Sequence, residues 1–164
     1  MILVTVGTEK FPFDRLMRWL DALIRQGFLQ VEQEDIVIQY GTCRFLPGGV
    51  KVYSLLPEAQ FRQLINQSRL IIAHCGEGTI NLLDEISTPY ILVPRSCRFK
   101  EHVDDHQVEL AVALSRIGIP IAWSPGDLVR FLTSPQYAPC SAAPESKIVS
   151  LCQRLEDRFG RLNP

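Results

Sequence analysis

The chain has 164 residues, of which 46% are hydrophobic and 21% charged, enough to close one substantial core and too few for two comfortable domains. A formal net charge of −1 excludes the basic footprint that a nucleic-acid backbone requires. Five scattered cysteines, Cys43, Cys75, Cys97, Cys140 and Cys152, contain no Cys-x-x-Cys pair, which excludes a disulfide framework and predicts reduced thiols.

The elements follow in chain order. Ile2–Val6 is apolar and β-branched, with no basic region before it and no cleavage site after it. It reads as a first strand and not as a secretory leader. Leu16, Leu20, Leu23 and Ile24 repeat at helical spacing, and Gly27 follows as a stop signal. Ile36–Tyr40 and Val50–Tyr53 read as one strand or two, with Pro47-Gly48-Gly49 between them. A second helix opens at Pro57-Glu58 and runs to Gln67, and Leu70–Ala73 is the next strand. A third helix begins near Gly78-Thr79 and ends before Pro89; Tyr90–Val93 follows as a strand. A fourth helix is expected from His102 to Arg116, then a strand over Ile119–Trp123 and a short helix from Ser124-Pro125-Gly126 to Leu132.

Short continuous apolar runs suit strands buried on both faces of a parallel sheet. Alternation with amphipathic helices predicts an α/β domain over residues 1–133: an open, mostly parallel, Rossmann-like sheet with helices on both faces. Residues 134–144 hold three prolines and read as a linker. Residues 145–161 read as a C-terminal helix whose stripe of Ile148, Leu151, Cys152, Leu155 and Phe159 packs on the domain or on a partner. No apolar run approaches the roughly 18–20 residues that cross a bilayer.

Ligands of open α/β sheets bind beyond the carboxyl ends of the strands, and three segments fall there. Gly7-Thr8-Glu9 follows the first strand; its glycine permits close backbone approach, though a plain turn reads the same way. His74-Cys75-Gly76-Glu77-Gly78-Thr79 joins a strand to a helix. Its two glycines leave amides exposed and aim a helix N-terminus at the crevice, which suits an anion. It lacks the lysine of a P-loop and the third glycine of the dinucleotide fingerprint. The third segment, His102 to Gln107 with Glu109 beyond, carries more polar groups than capping requires. Asp104 or Asp105 suits a cap, and His106 and Gln107 suit hydrogen bonds to sugar hydroxyls. His102 and His106 have the i, i+4 spacing of zinc ligands, but Val103 stands where a zinc protease has glutamate, so no metal is expected. A His74–Cys75 nucleophile is disfavoured because neighbours at a strand end point to opposite sides.

Val4-Thr5-Val6-Gly7-Thr8, then the His74–Thr79 run, then Pro89 with its strand, then Glu101-His102-Val103-Asp104-Asp105-His106-Gln107-Val108-Glu109-Leu110-Ala111 occur in an order that resembles one family. It is the C-terminal, donor-binding domain of glycosyltransferases grouped with peptidoglycan GlcNAc transferase. More closely, the chain resembles the stand-alone cytosolic catalytic subunit of two-part transferases, in N-glycan precursor or bacterial exopolysaccharide synthesis. The resemblance covers about Met1 to Trp123. It implies one half of a GT-B enzyme that binds UDP-GlcNAc or UDP-glucose, needs no cofactor and transfers the sugar with inversion to a lipid-linked acceptor. By position Gly7 and Thr8 match the loop beside the diphosphate, and Gly76, Gly78 and Thr79 the loop near phosphates and ribose. His74 and Glu77 belong to that second loop, and His106 and Gln107 match the segment that contacts the sugar.

The chain departs from the family pattern at two places. Leu82 stands where an acidic residue commonly holds ribose hydroxyls, with Asp84 or Glu85 as nearby substitutes, and Glu77 stands where alanine is frequent. The resemblance places the catalytic base and the acceptor site in a membrane-anchored partner subunit, so the chain itself is expected to be cytoplasmic, recruited by that partner, and inactive alone. The alternatives are a scaffold or regulatory subunit of the same fold that has lost donor binding, and a fragment of a sugar-nucleotide epimerase.

Overall fold

The computed structural model describes residues 1–134. Five strands form one sheet: β1 (Ile2–Thr5), β2 (Ile36–Gln39), β3 (Lys51–Tyr53), β4 (Leu70–His74) and β5 (Tyr90–Val93). Their order is β3-β2-β1-β4-β5, and every pairing is parallel. Among the described residues five α-helices connect or follow them: α1 (Asp14–Arg25), α2 (Glu58–Gln67), α3 (Glu77–Asp84), α4 (His106–Ser115) and α5 (Pro125–Thr133). The expected α/β Rossmann-like architecture is therefore present, with every strand parallel.

Strand alternation sends side chains to two cores. Ile2, Val4 and Val6 pack with Leu16, Leu20 and Leu23 of α1 and with Leu128 and Phe131 of α5. Leu3, Ile71 and Leu92 pack on the opposite face with Ile65 of α2, Ile80 and Leu83 of α3, and Leu110 and Leu114 of α4. Both faces of β1 are thus covered, which explains why Ile2, Leu3 and Val4 are apolar in succession and why all four of its residues are buried.

Two expected strands are corrected. Val50–Tyr53 gives the three-residue β3, whose residues are all exposed, because β3 is the sheet edge and not a buried strand. Ile119–Trp123 contributes only a single parallel bridge between Leu92 and Ile121. The fourth helix starts at His106 and not at His102. Asp105 spends its carboxylate on Ser96 Oγ and the Cys97 amide, and Asp104 accepts from the His106 amide, so residues 101–105 turn instead of winding. α5 begins with a reciprocal Ser124–Asp127 capping box and proline at its first turn, a start worth about 1 kcal/mol. The segment expected as a linker past Ser134 and the helix expected at 145–161 lie outside the described residues.

Candidate functional site

The strand order reverses direction between β1 and β4, and the crevice outside their carboxyl ends is the expected ligand position. Gly7 follows β1, and Gly76 follows β4 one register step away across a direct pairing. Between them lies a cavity of about 510 Å³. All nine residues singled out in the sequence line it: Gly7, Thr8, His74, Gly76, Glu77, Gly78, Thr79, His106 and Gln107. The two turns that the sequence separates by almost seventy residues form one wall.

His74 shapes that wall. It is the last residue of β4 and is 6% exposed, with its imidazole lying between the two turns. A Cβ at Gly7 would stand 2.5 Å from His74 Cε1 and Nε2, and a Cβ at Gly76 would stand 2.5 Å from Nε2. Gly7 also has φ +75°, so both its space and its backbone require glycine. The buried Nδ1 completes no hydrogen bond of ordinary geometry. Burial lowers the pKa of His74 to about 3; the nearby Arg95 and His102 act in the same direction, and the Thr5 backbone opposes them. The ring is therefore neutral at physiological pH and serves as a rigid spacer.

This has a measurable consequence. An unfolded imidazole titrates near 6.5 and the buried one at about 3, so protons favour the unfolded chain. The contribution of neutral His74 is complete above pH ~6.5 and is lost as pH falls towards 3. Near pH 5 the loss is about 2 kcal/mol. Urea unfolding of wild type and His74→Asn between pH 7.5 and 4.5 should show a shallower acid slope in the variant.

Gln39 holds the turns in register. Its Oε1 accepts from Thr5 Oγ1 at 2.7 Å, and its Nε2 donates to the carbonyls of Gly7 at 3.0 Å and Ser54 at 3.1 Å. One buried amide thus ties together the carboxyl ends of β1, β2 and β3. Arg95 does the same on the other side. It is 1% exposed, donates to the carbonyls of Val6, Phe11 and Glu101, and stacks at 4.8 Å on Phe13. Burial lowers its pKa, yet a guanidinium stays charged. Its own amide donates to Gln107 Oε1 at 3.2 Å. Glu101, also buried, takes both ends of the Arg15 fork at 2.9 and 2.8 Å. The loop after β1 and the segment carrying His102, His106 and Gln107 are clamped to one another.

The amino end of α3 opens on the cavity, with Gly76 as its N-cap and no side chain capping it. The unpaired amides and the helix dipole there favour an anion by about 0.3–1 kcal/mol per contact. In the cavity wall Glu77 Oε1 lies 2.7 Å from His106 Nε2, and nearby His102 Nδ1 lies 2.8 Å from Asp104 Oδ1. The two histidines with zinc spacing thus each face a carboxylate. Cys75 is buried in the core on the other side of β4 from His74.

Sequence reasoning missed Thr5, Gln39, Leu55, Leu56 and Phe61, which also line the cavity, and it placed His102 in the third segment without giving it a ligand contact. The apolar trio was within reach, since Leu55 and Leu56 lie just past the carboxyl end of β3, as the turn glycines lie past theirs. The proposed substitutes for Leu82 are corrected: neither Asp84 nor Glu85 lines the cavity. Asp84 ends α3, far from its open turn, and Glu85 is exposed beside Arg62.

These observations define an α/β domain with a ligand crevice at the switch point of a parallel sheet. The chain belongs to the glycosyltransferase family 28 C-terminal domain, whose sequence pattern it matches over residues 1–155. Its fold is similar to that of MurG from Acinetobacter baumannii (TM-score 0.55, 16% identity, 94% of this chain and 49% of that one). It is also similar to the glycosyltransferase SnogD from Streptomyces nogalater (0.52, 19%, 95% and 39%) and to the glycotransferase of kitacinnamycin (0.52, 18%, 94% and 39%). The chain spans less than half the length of each of these structures. No curated protein is similar in sequence at the same level of significance. Among the described residues no helix is long and apolar enough to cross a membrane.

Proposed function

We propose that this chain is the donor-binding catalytic subunit of an inverting glycosyltransferase, moving GlcNAc or glucose from a UDP-sugar to a lipid-linked acceptor. The observation that carries the reading is the convergence of the two glycine turns and the open end of α3 on one cavity beyond adjacent parallel strands. The amides near Gly7–Thr8 and Gly76–Gly78 take the diphosphate, while Leu55, Leu56 and Phe61 offer an apolar wall to the planar base. His106 and Gln107 face the sugar. As the acceptor oxygen bonds to the anomeric carbon, the bond to the diphosphate breaks, and the amides stabilise the negative charge developing on UDP.

In this reading the base that removes the acceptor proton and the acceptor site belong to a partner subunit anchored in the membrane, which recruits this cytoplasmic chain. A half-cleft binds weakly. Three or four charge-assisted hydrogen bonds at about 1.5–3 kcal/mol each, less ordering costs, give a Kd between ~1 mM and ~30 µM.

Titration calorimetry and ligand-observed NMR with UDP, UDP-GlcNAc and UDP-glucose should both detect binding in that range. No binding to any of them at millimolar concentration by either method would overturn the proposal. Glu77, a carboxylate inside the cavity, together with the absence of Lys or Arg from its lining among the described residues, favours a second reading: a scaffold or regulatory subunit that no longer binds donor. Gly78→Asp separates the two, since Gly78 has open space around it. A scaffold tolerates the added charge, and a donor site loses its phosphate contacts.

A further inference from the structure

Glu77 is the first residue of α3 and His106 the first of α4; both line the cavity and lie 2.7 Å apart. A carboxylate only accepts, so Nε2 carries the shared proton and fixes the position of Oε1. The two side chains remain 32% and 26% exposed, so the pair stands in the cavity wall and not in the core. Among the described residues the lining contains two carboxylates, Glu9 and Glu77, and no lysine or arginine. Glu77 is the one held by a second lining residue. Leu82 lies on α3 packed against the core, and the carboxylates of Asp84 and Glu85 do not line the cavity. The pocket thus pairs amide donors, which suit phosphate oxygens, with one oriented acceptor.

We propose that Glu77, positioned by His106, is the hydroxyl acceptor of the site and determines its specificity: its carboxylate takes the two O–H groups of a vicinal diol on the bound ligand. This rests on the nucleotide-sugar reading above. Two adjacent hydroxyls present two donors at the spacing of two carboxylate oxygens, and such charge-assisted bonds are stronger than neutral ones. A phosphate at the same atoms would be repelled, so Glu77 separates the hydroxyl-bearing part of the ligand from the part the turns hold. The diol belongs either to the ribose or to the transferred hexose.

The test measures Kd for UDP, 2′-deoxy-UDP, UDP-GlcNAc and UDP-glucose on wild type, Glu77→Ala and the isosteric Glu77→Gln. Circular dichroism melts confirm that each variant folds. If the diol is ribose, Glu77→Ala weakens UDP about tenfold and erases the preference for UDP over 2′-deoxy-UDP. If it is hexose, both uridine diphosphates bind unchanged and the added affinity of the UDP-sugar disappears. Glu77→Gln falls between wild type and alanine in either case. Should both variants bind every ligand as tightly as wild type, or more tightly, Glu77 merely repels phosphate and the proposal is overturned while the nucleotide-sugar reading stands. Wild type that binds none of the four overturns both.

Discussion

Arg95→Met is expected to lower folding stability by about 3–5 kcal/mol, because a buried charged donor to three backbone carbonyls is lost. The methionine chain fills much of the volume but donates nothing to the carbonyls of Val6, Phe11 and Glu101. Each buried carbonyl left without a donor costs about 1–3 kcal/mol. Glu101 keeps its bidentate bond to Arg15, so the loss is confined to the ligand edge of the sheet and does not spread to α1. Arg95→Lys retains the charge but cannot present two nitrogens in a planar fork, and about half of the loss should remain. Urea denaturation followed by circular dichroism reads both. A loss under 1 kcal/mol for the methionine variant would show that the clamp is dispensable.

Gly76→Ala has the second large effect, because the added methyl meets His74 and not solvent. The ring is hemmed in on its other side by Gly7, so one of the two turns must move. The expected outcome is a loss of about 2–4 kcal/mol in stability, comparable to overpacking a tight core, and UDP binding at least tenfold weaker. Removing the obstacle should rescue it: the double variant Gly76→Ala, His74→Ala is expected to be more stable than the sum of the single losses predicts. Gly78→Ala is the control. No atom lies within 4 Å of the Cβ it would gain, and alanine within a helix is more favourable than glycine by about 1 kcal/mol.

The sequence disclosed the sheet because its strands are continuous apolar runs and its helices carry periodic ones, and those signals are local. Ile2–Thr5 and Leu70–His74 were legible because both are buried on two faces. Lys51–Tyr53 was legible as a strand but not as an edge, since position within a sheet is a property of pairing and not of composition. Ile119–Trp123 shows the same limit: its residues have strand character, yet only Ile121 finds a partner. The site was legible where it depends on turn chemistry, at Gly7 and at Gly76 to Thr79. It was not legible at Gln39 and Arg95, which act through carbonyls up to eighty-nine residues away. Nor was the bond between Glu77 and His106 readable. Each residue looked like an isolated polar group until the sheet order placed α3 beside α4.

The position of β1 has a further implication for how the molecule comes into being. Both of its hydrogen-bonding neighbours are encoded later, β2 at Ile36 and β4 at Leu70. The first of the five described strands in chain order is therefore the axle on which the later ones are mounted, and parallel pairing between distant segments is slow because long loops must close first. The cavity draws its lining from Thr5 through Gln107. A nascent chain acquires the capacity to hold a ligand only after its fourth helix has begun to emerge, so recognition is a late event in the life of each molecule.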